Sequence, residues 1–258
     1  MAITTIPWGD GSGDNIYLSA PSQTGDQSVS VTSDPNTGAA RSKVVTFSAS
    51  GVSPVTLTIN QDAGSRLPAG YTELEYVTTN SNAYIDTGVS GGTDQLRINL
   101  IFEVTKYVQY GALYGNWNTD NHRAWRIILS NSNQTTLFAN AYEKAVTSAL
   151  VNYNMNTKTT LETWYGNYNC NGTTGTIPTT SGTANSRNVC LGNRCVENPV
   201  SRDIGLKIYY FKITQDGTPV IEYIPCISPN NEVGFYNLVN NTFKKSDTET
   251  DFVAGNPV

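Results

Sequence analysis

Glu73 and Glu75 are the first residues in the chain whose type and spacing suit chemistry. At i and i+2 on a strand they share one face, the arrangement that sets the paired carboxylates of a retaining glycosidase about 5–5.5 Å apart. The E-x-D-x-x-E strand that supplies a full catalytic set occurs nowhere in the chain. A solvated strand edge is therefore the expectation for this pair. Ser–His–Asp or Cys–His catalysis would depend on His122, the single histidine, which sits in an Asn-rich stretch without a nucleophile motif. The four cysteines, Cys170, Cys190, Cys195 and Cys226, include no C-x-x-C pair and give no metal pattern. No catalytic residue, no metal ligand and no enzymatic activity are expected.

Binding chemistry is better represented. Gly115 to Arg126 is a polar stretch with Trp117 and Trp125 toward its two ends and Asn118, Asp120 and Asn121 between them. Sugars are held by stacking of their C–H faces on aromatic rings and by amide and carboxylate hydrogen bonds, so these five residues are the candidate carbohydrate site. The competing reading buries both tryptophans as caps on a core. Trp164 and Tyr165 read as alternating strand core. In Cys190-Leu191-Gly192-Asn193-Arg194-Cys195 a Gly-Asn turn sets the two cysteines across a hairpin, in a non-hydrogen-bonded pair where side chains approach closely. That geometry admits a disulfide. Free buried thiols are the reading that a chain without an export signal favours.

The elements that must position these groups follow from composition and pattern. The 258 residues carry a formal charge of −5 and only 14% charged side chains, so Asn, Thr, Ser and Tyr make most of the surface. This balance excludes a nucleic-acid binder, which needs a basic stripe to displace phosphate counterions. No run approaches the roughly 18–20 apolar residues of a membrane-spanning helix. The start, MAITTIPWGDGSG, has neither the basic nor the apolar region of a signal peptide.

Residues 1–64 read as a small β module, with short alternating runs at Asn15–Ala20, Gln27–Thr32, Lys43–Ala49 and Val55–Asn60. The spacing suggests a compact immunoglobulin-like sandwich, short enough that its N-terminal strand is expected to be missing or supplied by a neighbour. A turn-prone linker, Asp62 to Gly70, leads into residues 65–258, where many short strands predict a two-sheet jelly roll. The densest stretch is Ile204 to Phe243. Asp216-Gly217 predicts a two-residue turn there, setting Phe211 opposite Glu222 and Tyr210 opposite Tyr223, with both faces apolar and covered. A longer loop would shift these pairs.

Two resemblances rest on these blocks. The run QSVSVTSDPNTGAARSKVVTFSASGVSPVTLTINQ, through Val29, Val31, Arg41, Val45, Phe47 and Leu57 to Gln61, resembles the second half of BACON-type immunoglobulin-like modules of gut Bacteroidetes and their phages. The opening IPWGDGSGDNIYLSAPS departs from that family and resembles the start of small phage structural proteins. LPAGYTELEYVTTNSNAYIDTG, then GLKIYYFKITQDGTPVIEYIPC and VGFYNLVNNTF, is similar to concanavalin A-like lectin/glucanase domains. The resemblances imply an all-β chain of an immunoglobulin-like sandwich and a concanavalin A-like jelly-roll sandwich. They imply a non-enzymatic bacteriophage virion protein, of capsid-decoration or head-fibre type, assembled in the host cytoplasm and lying on the particle surface. Its N-terminal module would meet capsid or other virion proteins, alone or as a homo-oligomer, with no nucleic acid or membrane partner. The alternative is a phage-tail or gut-bacterial adhesin that binds glycans. No cofactor is expected. Asp86, Asp94 and Asp120 are of the type that holds Ca²⁺ in some lectins of this kind, but they lack a ligand spacing.

Overall fold

The computed structural model describes residues 2–20, 29–34, 36, 40–62, 64, 66–80, 82–91, 95–116, 125–129, 136–141, 149–177, 187–192, 204–248 and 250–258. Among these residues every regular element is a strand, so the protein is all-β. It divides into two compact units, Met1–Pro68 and Ala69–Val258. The boundary expected between residues 64 and 65 falls four residues later, still inside the turn-prone stretch.

The first unit has two sheets. Strands β1 (Ala2–Pro7), β2 (Asn15–Ala20) and β3 (Val31–Ser33) form one, and the hairpin β4 (Arg41–Ala49) and β5 (Val52–Gln61) forms the other. Trp8, Ile16, Leu18 and Val45 are buried between them, with Ile6 and Ile59 packed alongside. The expectation of a missing first strand is corrected: Ala2–Pro7 pairs along β2, with Ile6 opposite Ile16. Its alternation of Thr4 with Ile6 is short, and only the facing β2 makes a strand of it. Arg41 then ties the β1–β2 connection to the hairpin. Its Nη1 donates to Asp10 at 3.0 Å and Asp14 at 2.9 Å, its Nε donates to Gln61 at 2.9 Å, and its guanidinium lies 4.5 Å over the Trp8 ring. Asp10 is held well below the usual carboxylate range, first by hydrogen bonds from Ser12 and then by Arg41.

The second unit is a two-layer sandwich. Its larger sheet runs in the order β16 (Thr173–Thr176), β15 (Asn167–Cys170), β14 (Thr159–Trp164), β9 (Leu96–Lys106), β18 (Gly205–Gln215), β19 (Thr218–Ile227), β20 (Val233–Asn237) and β21 (Thr242–Lys244). Three short strands, β6 (Thr72–Glu73), β7 (Val77–Thr78) and β22 (Val253–Ala254), pair beside this path. The smaller sheet runs β13 (Ala149–Asn152), β12 (Thr136–Ala141), β11 (Trp125–Leu129), β10 (Ala112–Gly115), β17 (Asn188–Leu191) and β8 (Ile85–Ser90). Ile98, Leu100, Phe102 and Phe211 of the larger sheet meet Leu113, Tyr114, Ile127 and Val189 of the smaller one in a single core. A file of rings runs through it, from Tyr114 to Phe211, Tyr223, Phe235 and Phe252, with successive centroids 5.5–6.2 Å apart. Aromatic contacts of this kind add about 0.5–1.5 kcal/mol each beyond their burial.

The hairpin β18–β19 carries the expected two-residue turn: Asp216 and Gly217 both have positive φ, 51° and 77°. The pairing differs from expectation. Gln215 lies opposite Thr218 and Thr214 opposite Pro219, and then a bulge after Ile213 moves the register by one, so Phe211 faces Tyr223 and Lys212 faces Glu222. A one-residue shift exchanges the faces. Phe211, Ile213, Ile221 and Tyr223 therefore turn into the core, while Tyr210, Lys212 and Glu222 turn away from it. Core covers one face of the hairpin; on the other, Tyr210, Lys212 and Glu222 are polar and half-buried while Ile224 and Cys226 are buried, so the second covered apolar face that was expected exists only along part of β19.

Candidate functional site

The outward face of the larger sheet gathers the polar groups with chemistry to offer. Strand β9 alternates strictly: Leu96, Ile98, Leu100 and Phe102 go to the core, and Arg97, Asn99, Ile101 and Glu103 go out. Strand β14 does the same, with Leu161 and Thr163 inward and Glu162 and Trp164 outward. Register then sets two rows across the face. One is Asn169–Glu162–Asn99–Lys212–Glu222, and the other is Asn167–Trp164–Arg97–Thr214. Directly opposed residues of antiparallel strands stand close enough to interact, so each row is a continuous polar surface.

Contacts within the rows are specific. Arg97 donates from Nε and Nη2 to the two carboxylate oxygens of Glu162, the second at 2.8 Å, and its guanidinium sits 5.0 Å from the Trp164 ring centroid. A bidentate pair of this kind fixes orientation as well as charge. The Glu162 hydrogen bond, ahead of the opposing effect of burial, raises the Arg97 pKa. Lys212 reaches Glu222 at 3.0 Å, and the Tyr210 hydroxyl donates to the other Glu222 oxygen at 2.9 Å. Between these pairs, Asn99 Oδ1 is buried and accepts no hydrogen bond. An unmatched buried acceptor costs about 1–3 kcal/mol.

Farther along the face, Glu103 accepts from the Tyr209 hydroxyl at 2.7 Å and from Lys207 at 3.1 Å. The Tyr209 ring packs against Tyr76, centroids 5.3 Å apart and planes tilted by 57°, and lies under Lys158 at 4.2 Å. Burial pushes the Glu103 pKa up, and the Tyr209 and Lys207 contacts outweigh it and bring the net value down. A general acid at neutral pH needs the opposite shift. Glu103, Glu162 and Glu222 are each paired with a cation, Lys207, Arg97 and Lys212 respectively. What the face offers is a planar indole and amide groups.

Of the residues singled out in the sequence, Trp117, Asn118, Asp120 and Asn121 lie outside the described residues, as do His122 and Asp94. Trp125 opens β11, where it lies opposite Ala141. Glu73 is in β6 opposite Cys226, and Glu75 is exposed; the two flank the buried Leu74. Asp86 accepts from the backbone N–H of Gly88, and its own N–H donates to Asp247. Cys170 and Cys226 are buried and not disulfide-bonded. Free thiols are the reading that the sequence favours for Cys190 and Cys195. It is corrected at Cys190, which is buried and disulfide-bonded. Cys195 lies outside the described residues. Trp164, read as core, is the residue that pattern reasoning misplaced. Glu162 two positions earlier was the available signal, since alternate residues of a strand share a face.

Comparison with known protein families, curated proteins and solved structures finds no match to this chain.

Proposed function

We propose that the protein is a non-enzymatic bacteriophage virion component of the capsid-decoration or head-fibre type. In this reading the first unit anchors to a shell protein and the concanavalin A-like second unit is displayed on the particle surface after assembly in the host cytoplasm. The resemblances of residues 27–61 and 67–243 support the reading, as does the division into two separately cored units. The observation that carries its non-enzymatic part is the pairing of the three outward-facing glutamates of β9, β14 and β19 with Lys207, Arg97 and Lys212. The test is reconstitution: purified protein is mixed with shells that lack it, and added symmetric density is sought by electron microscopy. Stoichiometric decoration is the expected result, and absence of binding to any shell protein overturns the proposal.

One observation favours a second, compatible reading as a carbohydrate-binding adhesin. Trp164 is half-exposed under Arg97, with Asn167 and Asn169 on the neighbouring strand beside it. Stacking on an indole with flanking amide hydrogen bonds is how a neutral sugar is held. On a glycan array, binding that is lost in Trp164→Ala or Trp117→Ala with the fold retained supports this reading. Silence across host capsular and mucus sugars removes it.

A further inference from the structure

Among the described residues, eleven large hydrophobic side chains are exposed, and seven of them belong to the first unit although it is by far the smaller. The β4–β5 hairpin explains most of them. Val45 lies opposite Leu57 and Phe47 opposite Val55, on the face turned toward the β1–β3 sheet. That sheet covers only one end: Val45 and Ile59 are packed against Trp8, Ile16 and Leu18. Beyond it Phe47, Leu57 and Val55 are 37%, 38% and 65% exposed. The sandwich is open at the end away from Arg41.

The hairpin is also open at its side. Among the described residues β5 pairs with β4 alone, so its other edge presents backbone N–H and C=O groups without a ladder partner. Natural edges are guarded by charges, prolines or bulges. Strand β5, VSPVTLTINQ, has no charged residue, and its proline, Pro54, stands near its start. From Val55 to Ile59 no charge or proline on β5, and no described strand, opposes the addition of another strand, whereas the Gln61 end is met by Asp34, whose carbonyl accepts from the Gln61 amide. The occupant that satisfies bare backbone and apolar inner face together is itself a strand, uncharged, with apolar residues at alternate positions.

Strand β5 is such a strand. Val55, Leu57 and Ile59 alternate with Thr56 and Thr58. We propose that β5 pairs antiparallel with β5 of a second copy, about a two-fold axis through Leu57. In that register Leu57 meets its own counterpart, Val55 of each copy opposes Ile59 of the other, and Thr56 opposes Thr58. The inner face of the seam is then wholly apolar, the outer face carries threonine pairs, and no like charges meet. A shift of one residue would set threonines against the apolar face, so the register is specified. The product is one four-stranded sheet, β4-β5-β5-β4, with an isologous, closed interface.

Sedimentation velocity of the full chain, from micromolar to submillimolar concentration, tests the proposal. The expected mass rises from 28.0 kDa to twice that value. Leu57→Lys sets two like charges on the axis and is expected to weaken dimerisation at least about tenfold, with the circular dichroism spectrum unchanged. Should that variant fail to fold, two cysteine variants keep the question open to disproof. Leu57→Cys brings two Cα atoms about 4.5–5.5 Å apart and is expected to cross-link on oxidation, whereas Phe47→Cys, on the strand away from the seam, is not. A chain that is monomeric throughout, a dimer indifferent to Leu57→Lys, or cross-linking of the Phe47→Cys variant without that of Leu57→Cys overturns it. None of these results bears on shell or glycan binding, which are measured separately.

Discussion

The hydroxyls of Tyr114 and Thr163 are hydrogen-bonded to each other inside the sandwich core, joining β10 of the smaller sheet to β14 of the larger. Both residues are completely buried, and burial raises the Tyr114 pKa far above its ordinary value. Either hydroxyl alone would be an unsatisfied polar group. Tyr114→Phe or Thr163→Val is therefore expected to cost about 1–3 kcal/mol, and the double variant less than the sum. Urea midpoints of the four proteins measure the coupling.

Tyr153 is the contrasting case. Its hydroxyl is buried, has no hydrogen-bond partner, and has a pKa pushed up to about 12, by burial first and then by Tyr107. A raised folded pKa stabilises below the unfolded value of about 10 and loses that contribution as pH climbs through the folded one. Tyr153→Phe is expected to stabilise the protein by about 1 kcal/mol at neutral pH and to remove part of the loss between pH 10 and about 12. Thermal unfolding across that range decides it.

Acid acts through Glu103. Its net depressed pKa contributes stability that is fully present above the unfolded value of about 4.3 and is lost as pH falls through the lower folded value. Wild type is expected to weaken below about pH 4, and Glu103→Gln to show a flatter dependence from a lower starting stability. Denaturant titrations at neutral and acid pH report both.

The cysteines sort into two classes. Alkylation of the denatured, unreduced chain is expected to label Cys170 and Cys226 and to spare Cys190 and Cys195; after reduction all four react. Reductant, by opening the disulfide of Cys190, is expected to lower the melting temperature by a few degrees.

Trp164 and Arg97 form the outward counterpart of the buried pair. Arg97→Ala removes both the guanidinium over the ring and the partner of Glu162. Because the Arg97 side chain is about half exposed and solvent screens the pair, the expected stability change is at most about 1 kcal/mol. If the face binds sugar, the same variant is expected to weaken binding with the fold retained, which calorimetry with the array-identified glycan checks.

Local patterns were enough to predict an all-β chain of two units, because β-branched runs, turn residues and the Asp216-Gly217 reversal act over a few neighbours. The tight turn itself appears as expected, with positive φ at both positions. Which face each strand turns inward was decided elsewhere. The bulge after Ile213 in β18 moves the register by one, and another between Ile208 and Tyr210 adjusts its pairing with β9, whose partners lie about a hundred positions earlier in the chain. That is why Phe211 is core and Lys212 meets Glu222, against the pairing the turn alone suggested. The same holds for Trp164, which an aromatic run places inside and its strand neighbour Arg97 holds outside. Strand propensity is local, but a side chain's facing has a period of two, and one displaced residue reverses it. Only the packed sheets, with apolar residues committed to one side, resolve that choice.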